Sequence, residues 1–134
     1  MARIILAENT DLWRERIKNS LERAGHEVVT VCDGIDAWRI FKQGDTSFAI
    51  VISDNQMPRM CGTDLLRNMR RRGDKHTAEM PFLLISSDPT SPEGHSLADF
   101  CAHFGATFLE KGNGNIVDCA EKLLQKTESQ ETKR

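Results

Sequence analysis

The chain has 134 residues, 39% hydrophobic and 28% charged, with a formal net charge of -2. That is one ordinary domain, able to bury a core without a disulfide or metal staple, and the composition excludes a disordered chain. The near-neutral charge argues against a dedicated nucleic-acid binder. No apolar run approaches the roughly 20 residues of a membrane span, and the short apolar opening broken by Glu8 does not read as a secretory signal.

The apolar pattern switches repeatedly between strand and helix. Arg3 to Ala7 is a short continuous apolar run of the kind found in strands buried on both faces. Trp13, Ile17, Leu21 and Ala24 then share one helix face, with Thr10 as N-cap and Gly25 as the closing glycine. Glu27 to Cys32 reads as a weaker, β-branched strand. Asp33-Gly34 opens a helix carrying Ala37, Ile40 and Phe41, which stops at Gly44. Phe48 to Ile52 is the next strand. Leu65, Leu66 and Met69 mark a helix that follows Thr63 and ends at Gly73. Phe82 to Ile85 is a fourth strand. Ser91-Pro92 is expected to cap a helix that contains Gly94, carries Leu97, Phe100, Cys101 and Phe104, and closes at Gly105. Ala106 to Leu109 is the fifth strand. Ile116, Ala120, Leu123 and Leu124 define the last helix. Residues 1–126 thus form the domain, and the polar stretch from Thr127 to Arg134 is expected to be a frayed tail.

Strand followed by helix, five times over, implies an α/β fold: a five-stranded parallel sheet with right-handed crossovers and helices on both faces. Such sheets carry their sites beyond the C-terminal strand ends, near the switch in strand order. Four strand ends deliver polar groups there: Glu8 and Asn9, then Ser53 to Gln56 around Asp54, then Ser86 and Ser87, then Lys111. Two carboxylates and a carbonyl oxygen suit Mg²⁺. A lysine and a hydroxyl suit phosphoryl oxygens, and a carboxylate can attack phosphorus to give an acyl phosphate. Phosphoryl transfer needs mainly positioning and charge neutralisation, which this set supplies.

These residues, and above all Ile50 to Gly62 with Asp54 followed by Met57-Pro58-Arg59-Met60-Cys61-Gly62, resemble the response-regulator receiver domain of two-component signalling, of the chemotaxis-regulator kind. The resemblance spans about residues 3–126 and implies the flavodoxin-like (βα)5 fold. It implies that Asp54 is the phosphoacceptor and that Glu8, Asn9, Asp54 and the carbonyl of Gln56 hold a weakly bound Mg²⁺. Ser86 stands at the switch hydroxyl, Lys111 at the family lysine and Phe108 at the mobile aromatic. It further implies a histidine kinase or phosphotransfer protein as donor and a downstream protein target, reached through the fourth expected helix, the fifth strand and the last helix. It implies neither direct nucleic-acid contact nor membrane insertion, a cytoplasmic location, and no enzymatic turnover beyond self-phosphorylation and self-dephosphorylation.

The family pattern is broken twice. The second acid is Asn9, and Lys111 is followed by Gly112 where the family has proline. Both departures favour the alternative of a phosphorylation-independent receiver that works as a protein-interaction module. An Asp-nucleophile phosphatase or flavin carrier on a similar sheet fits less well, because no second Asp stands two residues after a first-strand Asp and no glycine follows that strand. Plainer readings stand beside the sharp ones. Glu8 also suits a helix N-terminus, Asn9 also suits a helix cap, and Ser86 also reads as an ordinary strand-end hydroxyl. The basic run of Arg67, Arg70, Arg71, Arg72 and Lys75 reads as a solvated helix end. Trp13 and Trp38 read as core, and His95 and His103 as surface residues of the fourth expected helix. Cys32, Cys61, Cys101 and Cys119, with no C-x-x-C pair, read as buried free thiols.

Overall fold

β-Branched and aliphatic runs become the sheet of the computed structural model, which describes residues 1–132, with side chains through residue 126. The strands are β1 (Arg3–Ala7), β2 (Glu27–Val31), β3 (Ile50–Asp54), β4 (Phe82–Ser86) and β5 (Thr107–Glu110). They pair in parallel in the order β2-β1-β3-β4-β5. The helices are α1 (Asp11–Arg23), α2 (Gly34–Lys42), α3 (Gly62–Arg72), the single turn α4 (Lys75–Ala78), α5 (Leu97–His103) and α6 (Ile116–Thr132). The expected five-stranded parallel sheet is therefore present, with the additional turn α4. Helix α6 runs into the stretch expected to be a polar tail. Residues 127–134 lie outside the described side chains, and so does that expectation.

Successive residues of β1 alternate between two cores. Ile5 and Ala7 pack with α2, α3 and α5 through Ala37, Phe41, Leu65, Leu66, Met69, Leu97 and Cys101. Ile4 and Leu6 pack on the other face with Ile17 and Leu21 of α1 and Ala120 of α6. Ile4 stands opposite Val28 and Ile50, and a slip of one residue would turn every β1 side chain toward the wrong core. Each such aliphatic side chain contributes roughly 1.5–3 kcal/mol on burial, so the register is strongly held.

Several local expectations are corrected. The helix expected to start at Ser91-Pro92 starts at Leu97, capped by Ser96, whose hydroxyl accepts the N–H of Asp99. Gly94 lies outside it with φ +88°, a conformation no helix contains. Ser91 instead anchors a tight turn: its N–H donates to the carbonyl of His95, and its hydroxyl accepts the His95 N–H. His95 is thus in a loop, while His103 ends α5. Of the four thiols only Cys101 is buried, and Cys32 is exposed. Trp13 and Trp38 are half-buried on the margins of the two cores. Arg70 is no solvated cation. Its guanidinium donates to the carbonyls of Phe104 (2.6 Å), Met80 (2.9 Å), Ala78 (3.2 Å) and Gly105 (3.3 Å). Among the described residues no helix is long and apolar enough to cross a membrane.

Candidate functional site

The order β2-β1-β3 places the topological switch between β1 and β3, where their C-terminal ends lie side by side. The hydrogen-bond ladder continues past the strand ends. The N–H of Glu8 reaches Val31 O, that of Asn55 reaches Ile85 O, and that of Lys111 reaches Ser86 O. The backbone of three candidate segments is therefore fixed by neighbouring strands before any side chain acts.

Glu8 is wholly buried, and Asp54 nearly so. Lys111 Nζ lies 2.5 Å from Glu8 Oε1 and 3.5 Å from Asp54 Oδ2. Asp54 Oδ1 accepts the N–H of Asn55 at 2.8 Å. The side-chain amide of Asn9 meets two acceptors. With its nitrogen turned toward them it donates to Gln56 O at 3.1 Å and to Asp54 Oδ2 at 3.2 Å. Burial pushes the Asp54 carboxyl up to about 7, and the charge of Glu8 and a hydrogen bond with it act in the same direction. Lys111 and the Asn55 N–H oppose that rise without cancelling it.

The structure thus brings Glu8, Asn9, Asp54, Gln56 and Lys111 together. Lys111 arrives without a proline after it. There is no cis peptide bond among the described residues, and Gly112 takes φ +87°. Ser86 is buried at the next strand end, with its hydroxyl accepting the N–H of Asp88 at 3.2 Å. Phe108 is set back from the carboxylates. It pairs across with Leu84, two residues before Ser86, and packs against the core that contains Leu97 and Cys101 of α5. Asn9 does not cap α1: the N-cap is Thr10, whose N–H points back to Glu8 Oε2 at 3.3 Å.

The loop after Asp54 is shaped by features that its spacing alone did not reveal. A Cβ on Gly62 would fall 2.4 Å from Asp54 O and 2.6 Å from Leu84 Cδ1, so only glycine lets α3 start against the end of β3. Arg59 adopts φ +65° and donates to Asp33 Oδ2 (2.7 Å) and Asp36 Oδ1 (3.0 Å). Gly34 N–H also donates to Met60 O. The loop is strapped to the start of α2, where Asp33 is the cap. Nothing in the sequence paired Arg59 with Asp33, since they lie 26 residues apart.

The donor set tests the fit of a metal. Two carboxylates, the Gln56 carbonyl and the Asn9 amide are all oxygen donors, as a hard divalent cation requires. Among the described residues no group of three His, Cys, Asp or Glu side chains assembles for a metal. The set fits Mg²⁺, with one negative charge fewer than three acids would give and with the Asn9 amide turned oxygen-inward.

Comparison with known proteins agrees with this geometry. The family model for the response regulator receiver domain matches residues 4–112. The chemotaxis protein CheY1 of Helicobacter pylori is 31% identical over 88 residues, 64% of this chain and 68% of that protein. The 3',5'-cyclic-nucleotide phosphodiesterase regA of Dictyostelium discoideum is 31% identical over 124 residues, 92% of this chain but 14% of that protein. The solved structure of the chemotaxis protein CheY4 of Vibrio cholerae superposes with a TM-score of 0.72 at 28% identity, covering 94% of this chain and 98% of that one.

Proposed function

From the premise that this chain belongs to the response regulator receiver family, we propose that Asp54 accepts a phosphoryl group from a histidine kinase or phosphotransfer protein. The observation that carries this reading is the placement of Lys111 Nζ against both Glu8 and Asp54 at the switch point of the sheet. An Asp54 carboxylate oxygen attacks phosphorus, the bond from phosphorus to the donor's leaving atom breaks, and an acyl phosphate forms. Lys111 neutralises phosphoryl oxygens, and the buried Ser86 hydroxyl donates to them once released from Asp88. Glu8, Asp54, Gln56 and Asn9 would hold Mg²⁺, which supplies charge neutralisation on the transferring group. Phosphorylated Asp54 draws Ser86 inward and Phe108 follows. The change leaves through α5, β5 and α6 to a downstream protein. In this reading the protein is cytoplasmic and acts on no substrate besides its own phosphoryl group.

A second reading is favoured by the Asn9 amide, whose nitrogen, turned inward, satisfies the acceptors that a cation would face. It makes the chain a phosphorylation-independent interaction module. Intact-mass spectrometry after incubation with acetyl phosphate and Mg²⁺ separates the two. The first reading expects a gain of one phosphoryl group that is absent in Asp54→Asn and in EDTA. A gain that survives either change, or no gain at all, refutes it.

A further inference from the structure

We propose that Trp13 is the positioning residue for Lys111, holding its ammonium in the pocket from the side of α1. The inference deepens the reading of Asp54 as phosphoacceptor and rests on it. The problem it answers is how Lys111 is aimed. Its backbone is tied by one bond, N–H to Ser86 O at 2.8 Å. The chain then runs through Gly112, Asn113, Gly114 and Asn115, all exposed. A lysine ends in a compact charge on four flexible methylenes, so such a backbone does not by itself fix the ammonium. Yet the Lys111 side chain is only 5% exposed.

Three groups close on Nζ. Glu8 and Asp54 do so through their oxygens, and the indole ring of Trp13 does so with its centroid at 5.1 Å. That is inside the ~6 Å range in which an ammonium is attracted to the negative face of an aromatic ring. The ring has a firm base. Trp13 packs against the buried cluster that contains Ile17 and Leu21 of α1, and Ile116 and Val117 of α6 flank the same cluster. Its outer side lines an open groove with Gly114 and Asn115. The same first turn of α1 also supports the lysine's partner, since Arg14 Nη1 donates to the carbonyl of Glu8 at 2.9 Å. One helical turn thus braces both ends of the Glu8–Lys111 pair.

The chemistry gives the ring a purpose that the carboxylates cannot fill. Forming the acyl phosphate consumes one of the two anions facing Lys111, and the ammonium must then follow the phosphoryl oxygens. An ammonium over a ring face can slide across that face and keep its attraction, whereas a bond to a fixed carboxylate oxygen is lost in such a shift. The sequence placed Trp13 on the apolar face of α1, and there was no signal that it met a residue 98 positions away.

The test uses the full chain and two readouts. Amine labelling resolved lysine by lysine by mass spectrometry is expected to show Lys111 reacting several-fold faster in Trp13→Leu, with Lys18 and Lys42 unchanged. Trp13→Phe should fall between the two, because a ring is restored. Ile17→Val, which loosens α1 without touching Lys111, should leave Lys111 protected. Initial phosphorylation by acetyl phosphate with Mg²⁺ should slow roughly tenfold in Trp13→Leu and recover in part in Trp13→Phe. Equal Lys111 labelling in wild type and Trp13→Leu overturns the proposal. So does equal exposure in Ile17→Val, which would make the effect one of helix packing. Faster labelling with an unchanged phosphorylation rate overturns it too. If the wild type takes no phosphoryl group, the phosphoacceptor reading fails instead, and the labelling series still decides whether Trp13 holds Lys111.

Discussion

The side-chain amide of Asn9 sits against Asp54 Oδ2 and the carbonyl of Gln56, and with its nitrogen turned toward them it donates to both, at 3.2 Å and 3.1 Å. An amide in that orientation supplies partial positive charge where a divalent cation would otherwise supply a full one. In that orientation the amide pairs with both acceptors without a cation.

Cation binding needs the amide oxygen inward, and an aspartate at the same position presents an oxygen in either orientation. One added unit charge at ~4 Å from a cation contributes about 4 kcal/mol at an effective dielectric of about 20, before desolvation is subtracted. Asn9→Asp is therefore expected to tighten Mg²⁺ at least several-fold in a Trp13 fluorescence titration. It should also lower the melting temperature without metal, because three carboxylates then crowd one site. Equal Mg²⁺ affinity in the two proteins would remove residue 9 from the ligand set.

The pH dependence of stability follows from Asp54. A carboxyl near 7 in the folded chain and near its ordinary ~3.9 when unfolded binds its proton more tightly when folded. Its stabilising contribution is complete below about pH 4 and is lost as pH rises to about 7. Asp33 works in the opposite sense. Burial pushes it up, but the hydrogen bond from Arg59 and the N–H of Asp36 outweigh burial and hold it below the usual carboxylate range. Its contribution is lost only as pH falls through that lowered value, so the two windows do not overlap. Without divalent cations, the melting temperature is expected to fall between pH 5 and pH 8. Asp54→Asn should flatten that slope and gain on the order of 2 kcal/mol at pH 8. Parallel slopes in the two proteins would show that Asp54 is not the group responsible.

The sheet and the site were legible to different degrees. Continuous apolar runs at Arg3, Phe48 and Phe82 announced strands buried on both faces, and the structure confirms them within two residues. Glu8, Asp54 and Lys111 were visible because each follows such a run. What stayed hidden depends on long-range approach. Arg70 looked like one more cation in a basic helix end, and only the fold carries the carbonyl of Phe104 to its guanidinium. The start of α5 departs from the Ser91-Pro92 expectation for a local reason. Ser91-Pro92 and Ser96 both suit a cap, and the choice is made by Gly94 at φ +88°.

Arg70 is expected to be worth more than its surface neighbours. Burial pushes its guanidinium below the ordinary value, and four backbone carbonyls take its hydrogen bonds. Its neighbours complete a grip on α5, with Arg67 over the ring of Phe100 and Arg71 over that of Phe104. Arg70→Gln should cost roughly 2–3 kcal/mol in urea unfolding, since hydrogen bonds from a charged donor are lost together. Arg70→Lys should not rescue it, because a point charge cannot reach the α5 end and the Met80 carbonyl at once. A lysine variant as stable as wild type would show that the fork geometry is unimportant.

The same clamp directs where the signalling change should appear. Helix α5 is held at its C-terminal end by Arg70 through Phe104 and Gly105. Its N-terminal approach is held mainly by short local bonds: Thr90 N–H to Asp88 Oδ1, Gly94 N–H to Ser91 O, and Leu97 N–H to Pro89 O. Residues from Ser87 to Pro89 and from Pro92 to His95 are exposed, so that approach is the less stable half and the easier one to bias. Ser86 sits at its root and gives up the Asp88 N–H if it turns toward Asp54. Beryllofluoride with Mg²⁺ is therefore expected to slow amide hydrogen exchange across residues 88–98 and along β5 around Phe108, with little change at residues 101–105. Slowing confined to the far end of α5, or to α1 and α2 alone, would place the output face elsewhere. Repeating the experiment on Arg70→Gln sharpens the outcome. With the C-terminal anchor gone, protection should spread over the whole of α5 or disappear from it, but it should not stay confined to residues 88–98.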